Sequence, residues 1–328
     1  MAVDVDALVD RRRLRRKVTF WRVATFLVIA AALISGIVYV SGASSLSKRS
    51  AHIARVPIEG VILEDRKTLK MIEKISKSDA VKGVVISINS PGGSTTGGEA
   101  LYLALRELAE KKPVVAEIRT VGTSAGYMVA LSADHIVARY NTITGSIGVL
   151  FQFGNIQKLL GTLGVEMDAV KSAPLKAEPD FYTQTSPEAR AMLESMVKDS
   201  YDWFVGLVAE RRNLDPSKAK ELADGRILTG HLALNEKLID AIGGEEQAIA
   251  WLESEKSVKE DLPVVTWTTK ENIEELPFSA RISQEFGKGV GSALLNPIND
   301  AKGLIPRGLT LDGLVSVWQA SDAADNKP

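Results

Sequence analysis

The chain has 328 residues, of which 45% are hydrophobic and 25% charged, as in folded proteins and unlike disordered ones. Its formal net charge of −1 argues against nucleic-acid binding, because nucleic-acid-binding surfaces carry a surplus of basic side chains. The absence of cysteine excludes disulfides, thiolate metal sites and a cysteine nucleophile, and the three histidines are too few for a histidine-rich metal site. We therefore expect no metal site built from cysteine or from several histidines.

The N-terminus combines a basic block with a long apolar run. Residues 11–17 read RRRLRRK, and no charged residue occurs between Val23 and Ser47. The run matches the ~20 residues that a helix needs to cross a hydrocarbon core about 30 Å thick. Because basic flanks stay on the cytoplasmic side, we predict a basic cytoplasmic N-terminus over 1–20 and a transmembrane signal anchor over 21–42. A cleaved secretory signal is the alternative, although its apolar core is usually only ~7–15 residues long.

Strand and helix patterns alternate after a small, polar linker at 43–54. The run GVVISIN at 83–89 is apolar throughout, as in a strand whose sheet is covered on both faces. Alternation of this kind favours parallel βαβ units, and so an α/β fold. The predicted strands are 56–63, 83–89, 113–118, 135–139 and 145–153, and the predicted helices are 68–75, 97–111, 125–133, 155–163, 186–212, 219–223 and pieces of 232–251. The pattern weakens after 254, so residues 255–328 are interpreted as an extension that docks on the main domain.

Two glycine-containing turns follow predicted strands, at the positions where open α/β sheets bind ligands. The first, Asn89–Ser94, reads NSPGGS, and its backbone N–H groups could face a polarised carbonyl or could form a plain strand–helix turn. The second, Gly122–Tyr127, reads GTSAGY and places Ser124 among small residues. Ser124 could be a nucleophile, or it could equally cap the following helix.

A nucleophilic serine needs a base, and the histidines do not supply an obvious one. His135 begins an apolar strand, His52 lies in the predicted linker, and His231 lies far downstream near Gly230. A desolvated lysine is the other option, because burial favours its neutral form. Lys171 and Lys176 stand in VKSAPLK, although a lone lysine is usually a solvated surface charge. The residues alone therefore indicate a Ser–Lys pair only weakly.

Five blocks of the sequence carry a resemblance: GVVISINSPGG, GTSAGYMVA, TGSIGVL, VKSAPLK, and ADGRILTG with LALNEKLID. In this order and spacing, the chain resembles the bacterial signal peptide peptidase A family, in its short, single-copy form with an N-terminal membrane anchor. The resemblance implies a ClpP/crotonase-like fold, with parallel sheets and flanking helices, over 55–254. It also implies a Ser–Lys endopeptidase that degrades signal peptides left in the membrane, without metal or cofactor.

Matched residue by residue, the resemblance implies Ser124 as nucleophile, Lys176 as general base and Ser146 as a hydrogen-bond partner of that lysine. The backbone N–H groups of Gly93 and Ala125 would form the oxyanion hole. It further implies a homo-oligomer in which one copy supplies the serine and its neighbour the lysine. The expected partners are apolar signal peptides and membrane lipid. The expected location is the bacterial inner membrane, with a single pass and the catalytic domain on the periplasmic or extracellular side.

Other interpretations stay open. An acyl-CoA hydratase-like enzyme of the same fold would not need a membrane anchor. A ClpP-like Ser-His-Asp protease would need a histidine in the window after Ser124, where residues 145–149 contain none. A catalytically inactive, membrane-anchored scaffold is the alternative from a different class.

Overall fold

The computed structural model of the chain describes residues 17–29, 48–269 and 315–317. Residues 17–29 form helix α1, which belongs to one of two units of the chain, while the sheet lies in the other. No helix within these described ranges has the length and apolar composition that a membrane crossing requires. Beyond residue 29, the predicted anchor at 21–42 lies outside the described residues, as do positions 1–16 of the predicted basic N-terminus.

The described residues contain nine strands in one sheet. They are β1 His52–Ile62, β2 Val81–Ser94, β3 Val114–Thr123, β4 His135–Ala138, β5 Ile143–Gly145, β6 Ile227–Thr229, β7 Ala241–Ile242, β8 Val264–Thr266 and β9 Val315–Val317. The main order is β6-β5-β3-β2-β1-β8, with β4 beside β3, β7 beside β4, and β9 beside β2. The pairings of β1 with β2 and of β2 with β3 are parallel, as the βαβ pattern predicts.

Strand β3 changes its neighbour halfway along one edge. Residues Val115–Ile118 pair with β4, whereas Val121–Thr123 pair with β5. The sheet therefore divides at β3. The first part of β3 continues the sheet through β4 and β7, whereas its end near Thr123 continues it through β5 and β6. This division brings β5 and β6 next to the turn that follows β3.

Helices cover both faces of the sheet. They are α2 Arg66–Lys77, α3 Thr95–Ala109, α4 Ala125–Ala130, α5 Gln157–Thr162, α6 Pro187–Arg212, α7 Pro216–Leu222, α8 Gly230–Asn235 and α9 Glu245–Lys256. Side chains from α2, α3, α4 and α6 form the larger core with Ile86 and Ile88, while Val85 faces the smaller core with Leu252 of α9. Burying each such aliphatic side chain stabilises the fold by about 1.5–3 kcal/mol. The predicted α/β architecture is confirmed.

Several predicted boundaries differ from the structure. The strand predicted at 145–153 is found earlier, as β5, which ends at Gly145. Positive φ values at Gly145 and Ser146 turn the chain away from the sheet there. The helical pieces predicted within 232–251 are α8 and α9, separated by β7 and by Gly243-Gly244. β1 begins inside the predicted linker, and β8 and β9 show that the predicted extension contributes strands to the sheet.

Substitution of Tyr127 tests a buried hydrogen bond in the larger core. Its hydroxyl donates a 2.7 Å hydrogen bond to the Leu238 carbonyl, and both groups are buried. Tyr127→Phe leaves that carbonyl without its partner, so we expect the free energy of unfolding to fall by about 1–3 kcal/mol. Tyr140→Phe removes the same hydroxyl at an exposed position and is expected to change stability by less than about 0.5 kcal/mol. Urea unfolding of the full chain in detergent measures both, and equal effects would contradict the assigned role of the Tyr127 hydrogen bond.

Candidate active site

Ser124 lies on the sharp turn between β3 and α4, where its backbone adopts φ 56° and ψ −119°. Residues other than glycine rarely adopt this conformation, and each such residue costs roughly 1–3 kcal/mol. The turn is held by the Ser124 N–H, which donates to the Gly145 carbonyl at 2.9 Å, and by the Ser124 carbonyl, which accepts from the Met128 N–H. Ser124 stands at the N-cap position of α4, as the alternative interpretation expected, but its side chain makes no capping hydrogen bond with that helix.

Threonine hydroxyls tie the strand ends around this turn together. The Thr123 hydroxyl donates to the Pro91 carbonyl at 3.0 Å, which joins the end of β3 to β2. The Thr144 hydroxyl donates to the Gly122 carbonyl at 2.8 Å, which joins β5 to β3. Both threonines are fully buried, so these bonds are shielded from water. They fix the turn that carries Ser124 relative to its neighbouring strands.

Gly93 lies within β2, opposite Ile62 of β1. A Cβ atom at Gly93 would stand 1.9 Å from the Ile62 carbonyl oxygen, so the close approach of the two strands requires glycine there. The prediction of a turn over Asn89–Ser94 is wrong, because β2 continues to Ser94 before α3 begins. The pairing with β1 extends the strand through a sequence that locally favours a turn.

Ala125 is the first residue of α4 and is fully buried. An amide in the first turn of a helix has no intrahelical acceptor, so the Ala125 N–H has the donor capacity that the sequence resemblance assigns to it. Gly126 packs against β2, since a Cβ atom there would lie 2.9 Å from the Ser90 carbonyl oxygen. Close packing of α4 on β2 therefore holds the helix start beside the strand that contains Gly93.

Ser124 and Ser146 face one cavity of about 380 Å³. Ser146 has a positive φ of 50°, and its N–H donates to the Arg226 carbonyl at 2.7 Å. The cavity is lined by Ser124, Ser146, Gly148, Val149, Leu150, Tyr201, Ala223, Asp224 and Gly225. The structure thus brings the predicted nucleophile and the predicted partner of the base together.

A mainly apolar groove of about 440 Å³ adjoins this cavity, with which it shares Val149, Leu150 and Tyr201. Leu193 and Val197 of α6 form one wall of the groove. Its lining also includes Phe151, Phe153, Arg190, Glu194 and Lys198. An apolar side chain that entered from the cavity would find matching surface here.

Lys176 and Lys171 have different environments. Lys176 lies in an exposed turn and is not among the residues that line the Ser124 cavity. The Lys171 ammonium lies 2.8 Å from Glu178 and 3.3 Å from Asp180. The hydrogen bond to Glu178, reinforced by the one to Asp180, outweighs desolvation and raises the pKa of Lys171 above its ordinary value. Lys171 is therefore held in the charged form, which cannot accept a proton.

Tyr201, Asp224 and Gly225 line the cavity but were not assigned by sequence reasoning. Tyr201 lies on α6, whose sequence shows only the periodicity of a packed helix. Asp224 and Gly225 belong to the ADGRILTG block, one of the five blocks that carry the family resemblance. That block was the one available signal for these two residues. Within the described part of the chain, no cluster of His, Asp and Glu side chains forms a metal site.

Asp224, which lines the cavity, is held ionised by Arg226. Arg226 Nε and Nη2 donate to the two carboxylate oxygens at 2.8 and 2.6 Å. These side-chain hydrogen bonds lower the pKa of Asp224 to about 2. A carboxylate with a lowered folded-state pKa stabilises the fold above its unfolded pKa, and that contribution is lost as the pH falls toward the folded value.

The substitution Arg226→Met tests the contribution of the Asp224–Arg226 ion pair to stability. We expect wild type to be more stable than Arg226→Met at pH 5, because Asp224 is ionised and paired there. Acidification through the ordinary carboxyl range toward pH 2 removes the contribution, so the difference in unfolding free energy between the two proteins shrinks. Urea unfolding of both proteins at pH 5 and pH 3 measures this difference. A difference that stays constant or grows on acidification would contradict the low pKa of Asp224.

Comparison with known proteins identifies the family. Residues 106–259 match the model of peptidase family S49. A candidate protease of Synechocystis sp. is 38% identical over 200 residues, which cover 61% of this chain and 72% of that protein. A candidate protease of Methanocaldococcus jannaschii is 33% identical, with 69% of this chain and 72% of that protein covered. A candidate signal peptide peptidase SppA of Enterococcus faecium is 34% identical, with 69% and 62% covered. The chain therefore belongs to peptidase family S49 and is a protease.

Proposed function

We propose that the chain is a membrane-anchored serine endopeptidase that uses a Ser–Lys dyad to hydrolyse apolar peptides, in particular residual signal peptides. The observation that carries this proposal is the backbone of Ser124, held at φ 56° on a strand–helix turn that faces a cavity shared with Ser146. Strained backbone that the surrounding structure maintains is a recurrent feature of catalytic residues.

In the proposed mechanism, the Ser124 hydroxyl oxygen attacks the scissile carbonyl carbon while the neutral Lys176 amine accepts the hydroxyl proton. The backbone N–H groups of Gly93 and Ala125 donate hydrogen bonds to the oxyanion, and each such donor typically contributes about 10²–10³ in rate. Lys176 then returns the proton to the leaving amine, and an acyl-enzyme ester remains on Ser124. Water, deprotonated by the same lysine, hydrolyses that ester. Ser146 positions the Lys176 amine.

The environments of the histidines favour lysine as the base. None of the three lines the Ser124 cavity. Each stacks on an aromatic ring: His52 on Trp267, His135 on Trp251 and His231 on Tyr140. Burial also lowers the pKa of His135, which keeps it neutral in a structural setting. A ClpP-like Ser-His-Asp arrangement therefore has no support among these residues.

A neighbouring copy supplies Lys176 in this proposal. Lys176 lies in the segment between β5 and α6, residues 146–186, which contains only the short helix α5. Large apolar side chains are exposed along it, including Leu159, Leu163 and Val170. Exposed apolar surface of this extent is typical of protein–protein contacts. Docking of this segment on the next copy would bury it, and repeated heterologous contacts of this kind can close into a ring.

Two observations support apolar, membrane-derived substrates. The groove beside the cavity is lined by Leu150, Leu193 and Val197 among others, and so favours apolar side chains. Helix α1 exposes Phe20, Trp21 and other large apolar residues. We propose that α1 contains the first part of the anchor at 21–42, with the catalytic domain on the periplasmic or extracellular side, since the basic block precedes the apolar run.

Ser124→Ala removes the proposed nucleophile. We expect it to abolish hydrolysis of an apolar fluorogenic peptide, since loss of a catalytic serine can cost ~10⁶ in rate. Labelling by a fluorophosphonate probe, which reacts with nucleophilic serines, should disappear as well. Ser132→Ala is the matched control, because Ser132 is equally buried just after α4, where it donates to the Val129 carbonyl. It should keep both activity and labelling.

Retained activity or labelling in Ser124→Ala would contradict the serine mechanism. Wild type that neither labels nor cleaves would instead favour the inactive scaffold. Circular dichroism of each variant separates loss of chemistry from loss of fold.

Lys176→Met removes the proposed base while keeping much of the side-chain volume. We expect it to be inactive, whereas Lys171→Met should keep its turnover, because Lys171 is an ion-paired cation. Wild-type activity should rise from neutral toward alkaline pH, since only a neutral amine accepts the serine proton. A dead Lys171→Met with an active Lys176→Met would assign the base to the other lysine.

Mixed oligomers test whether the dyad is shared between copies. Inactive Ser124→Ala and Lys176→Met protomers, assembled together, should recover part of the activity where an intact serine meets an intact lysine. Absence of recovery in particles shown to contain both variants would place the dyad within one chain.

A further inference from the structure

The Ser124 cavity and the apolar groove meet at a junction formed by three residues. Val149 and Leu150 line both spaces from the segment that follows β5, and Tyr201 lines both from α6. A group that extends from the cavity into the groove therefore passes between Tyr201 and the Val149–Leu150 pair. Tyr201 is the aromatic member of the three, so the position of its ring decides how wide this passage is.

The ring of Tyr201 is held from two sides. Its hydroxyl donates a 3.0 Å hydrogen bond to the carbonyl of Ala223, the residue that follows α7, and the side chain packs against the larger core. Burial, followed by the nearby carboxylates of Asp202 and Asp224, raises the pKa of Tyr201, so its hydroxyl keeps the proton that it donates. Because Tyr201 also lies on the 26-residue helix α6, we expect the ring to keep its position when a substrate binds.

A substrate meets this passage with the side chain of one particular residue. The Ser124 hydroxyl attacks a carbonyl carbon that must lie within roughly 3–3.5 Å of it. The Cα atom of the residue that supplies this carbonyl is bonded directly to that carbon, so its side chain begins in the Ser124 cavity. A short side chain stays there, whereas a longer apolar one reaches matching apolar surface by extending past Tyr201 into the groove.

The width of the passage separates apolar side chains by shape. A leucine side chain is slender, whereas the indole of tryptophan is a broad and rigid plane. A passage that admits the first but not the second leaves the indole in the cavity, where it crowds the reacting groups beside Ser124 and Ser146. In apolar pockets, a difference of one methylene group already changes kcat/KM by about 10–200-fold.

We propose that Tyr201 is a specificity-determining residue, whose ring limits the breadth of the side chain on the residue that supplies the scissile carbonyl. This inference rests on the proposed function, since it requires Ser124 to attack a peptide carbonyl. It goes beyond a preference for apolar side chains, because the apolar lining of the groove would bind leucine and tryptophan alike. With Tyr201 in place, the enzyme favours leucine over tryptophan at this position.

Two fluorogenic peptides that differ only by leucine or tryptophan at this position test the proposal in the full-length protein in detergent. The measured quantity is the ratio of kcat/KM for the tryptophan peptide to kcat/KM for the leucine peptide, with the cleaved bond identified by mass spectrometry. Tyr201→Leu and Tyr201→Ala widen the passage in two steps, so we expect the ratio to rise in that order, by about tenfold or more in Tyr201→Ala. Tyr201→Trp narrows the passage and should lower the ratio.

The ratio cancels any loss of activity that both peptides share, including loss through weaker assembly. Tyr201→Phe keeps the ring and removes only the hydroxyl, so its ratio should stay closer to wild type than that of Tyr201→Leu. Trp203→Ala is the matched control, because it removes an aromatic ring from the same helix at a position that lines neither the cavity nor the groove. It should keep the wild-type ratio.

Three results would overturn the proposal while Ser124 still reacts with the fluorophosphonate probe. They are a wild type that prefers the tryptophan peptide, an unchanged ratio in Tyr201→Leu and Tyr201→Ala, and a ratio that rises equally in Trp203→Ala. Circular dichroism identifies a variant that does not fold, and Tyr201→Leu, which keeps apolar packing, then decides in place of Tyr201→Ala. Absence of labelling at Ser124 in wild type would instead show that the proposed function fails, and the inference with it.

Discussion

The backbone of Ser124 is held in a conformation that residues with side chains rarely adopt, and the whole site depends on what holds it there. The Gly145 carbonyl fixes the Ser124 N–H, and the first turn of α4 engages the Ser124 carbonyl. The buried hydroxyls of Thr123 and Thr144 lock the flanking strand ends. Each buried hydrogen bond contributes about 0.5–1.5 kcal/mol, so together they are of the size needed to offset a strain of roughly 1–3 kcal/mol.

The division of the sheet at β3 explains why a cavity exists at this turn. If β4 had continued along β3, the edge next to Thr123 would be filled by regular strand. Instead β5 takes over for three residues, and the chain then leaves the sheet at Gly145 and Ser146. The space below Ser124 is closed by the turn that contains Asp224 and by Tyr201 of α6. Elements far apart in sequence therefore complete the site.

Local patterns predicted the parallel strands and the larger helices, because these elements satisfy their own periodicity and end signals. The long helix predicted over 186–212 begins where expected, and Ser186 caps it by accepting a hydrogen bond from the Ala189 N–H. The sequence did not predict that β2 continues through Pro91 and Gly93, since pairing with β1 and β9 overrides a local preference for a turn. β9 itself has three residues and only long-range partners, so no local signal marks it. Among the site residues, Ser124 could be proposed from its small neighbours and the resemblance, whereas Tyr201 enters through packing alone.

Under the proposed function, a single chain would be inactive. Lys176 stands on an exposed segment away from the Ser124 cavity, so an isolated chain would have a nucleophile but no base beside it. Assembly would remove this restriction, because a second copy can bring the base. The same contact would bury the large apolar side chains that are exposed along residues 146–186. Catalysis and assembly would thus depend on one segment of the chain.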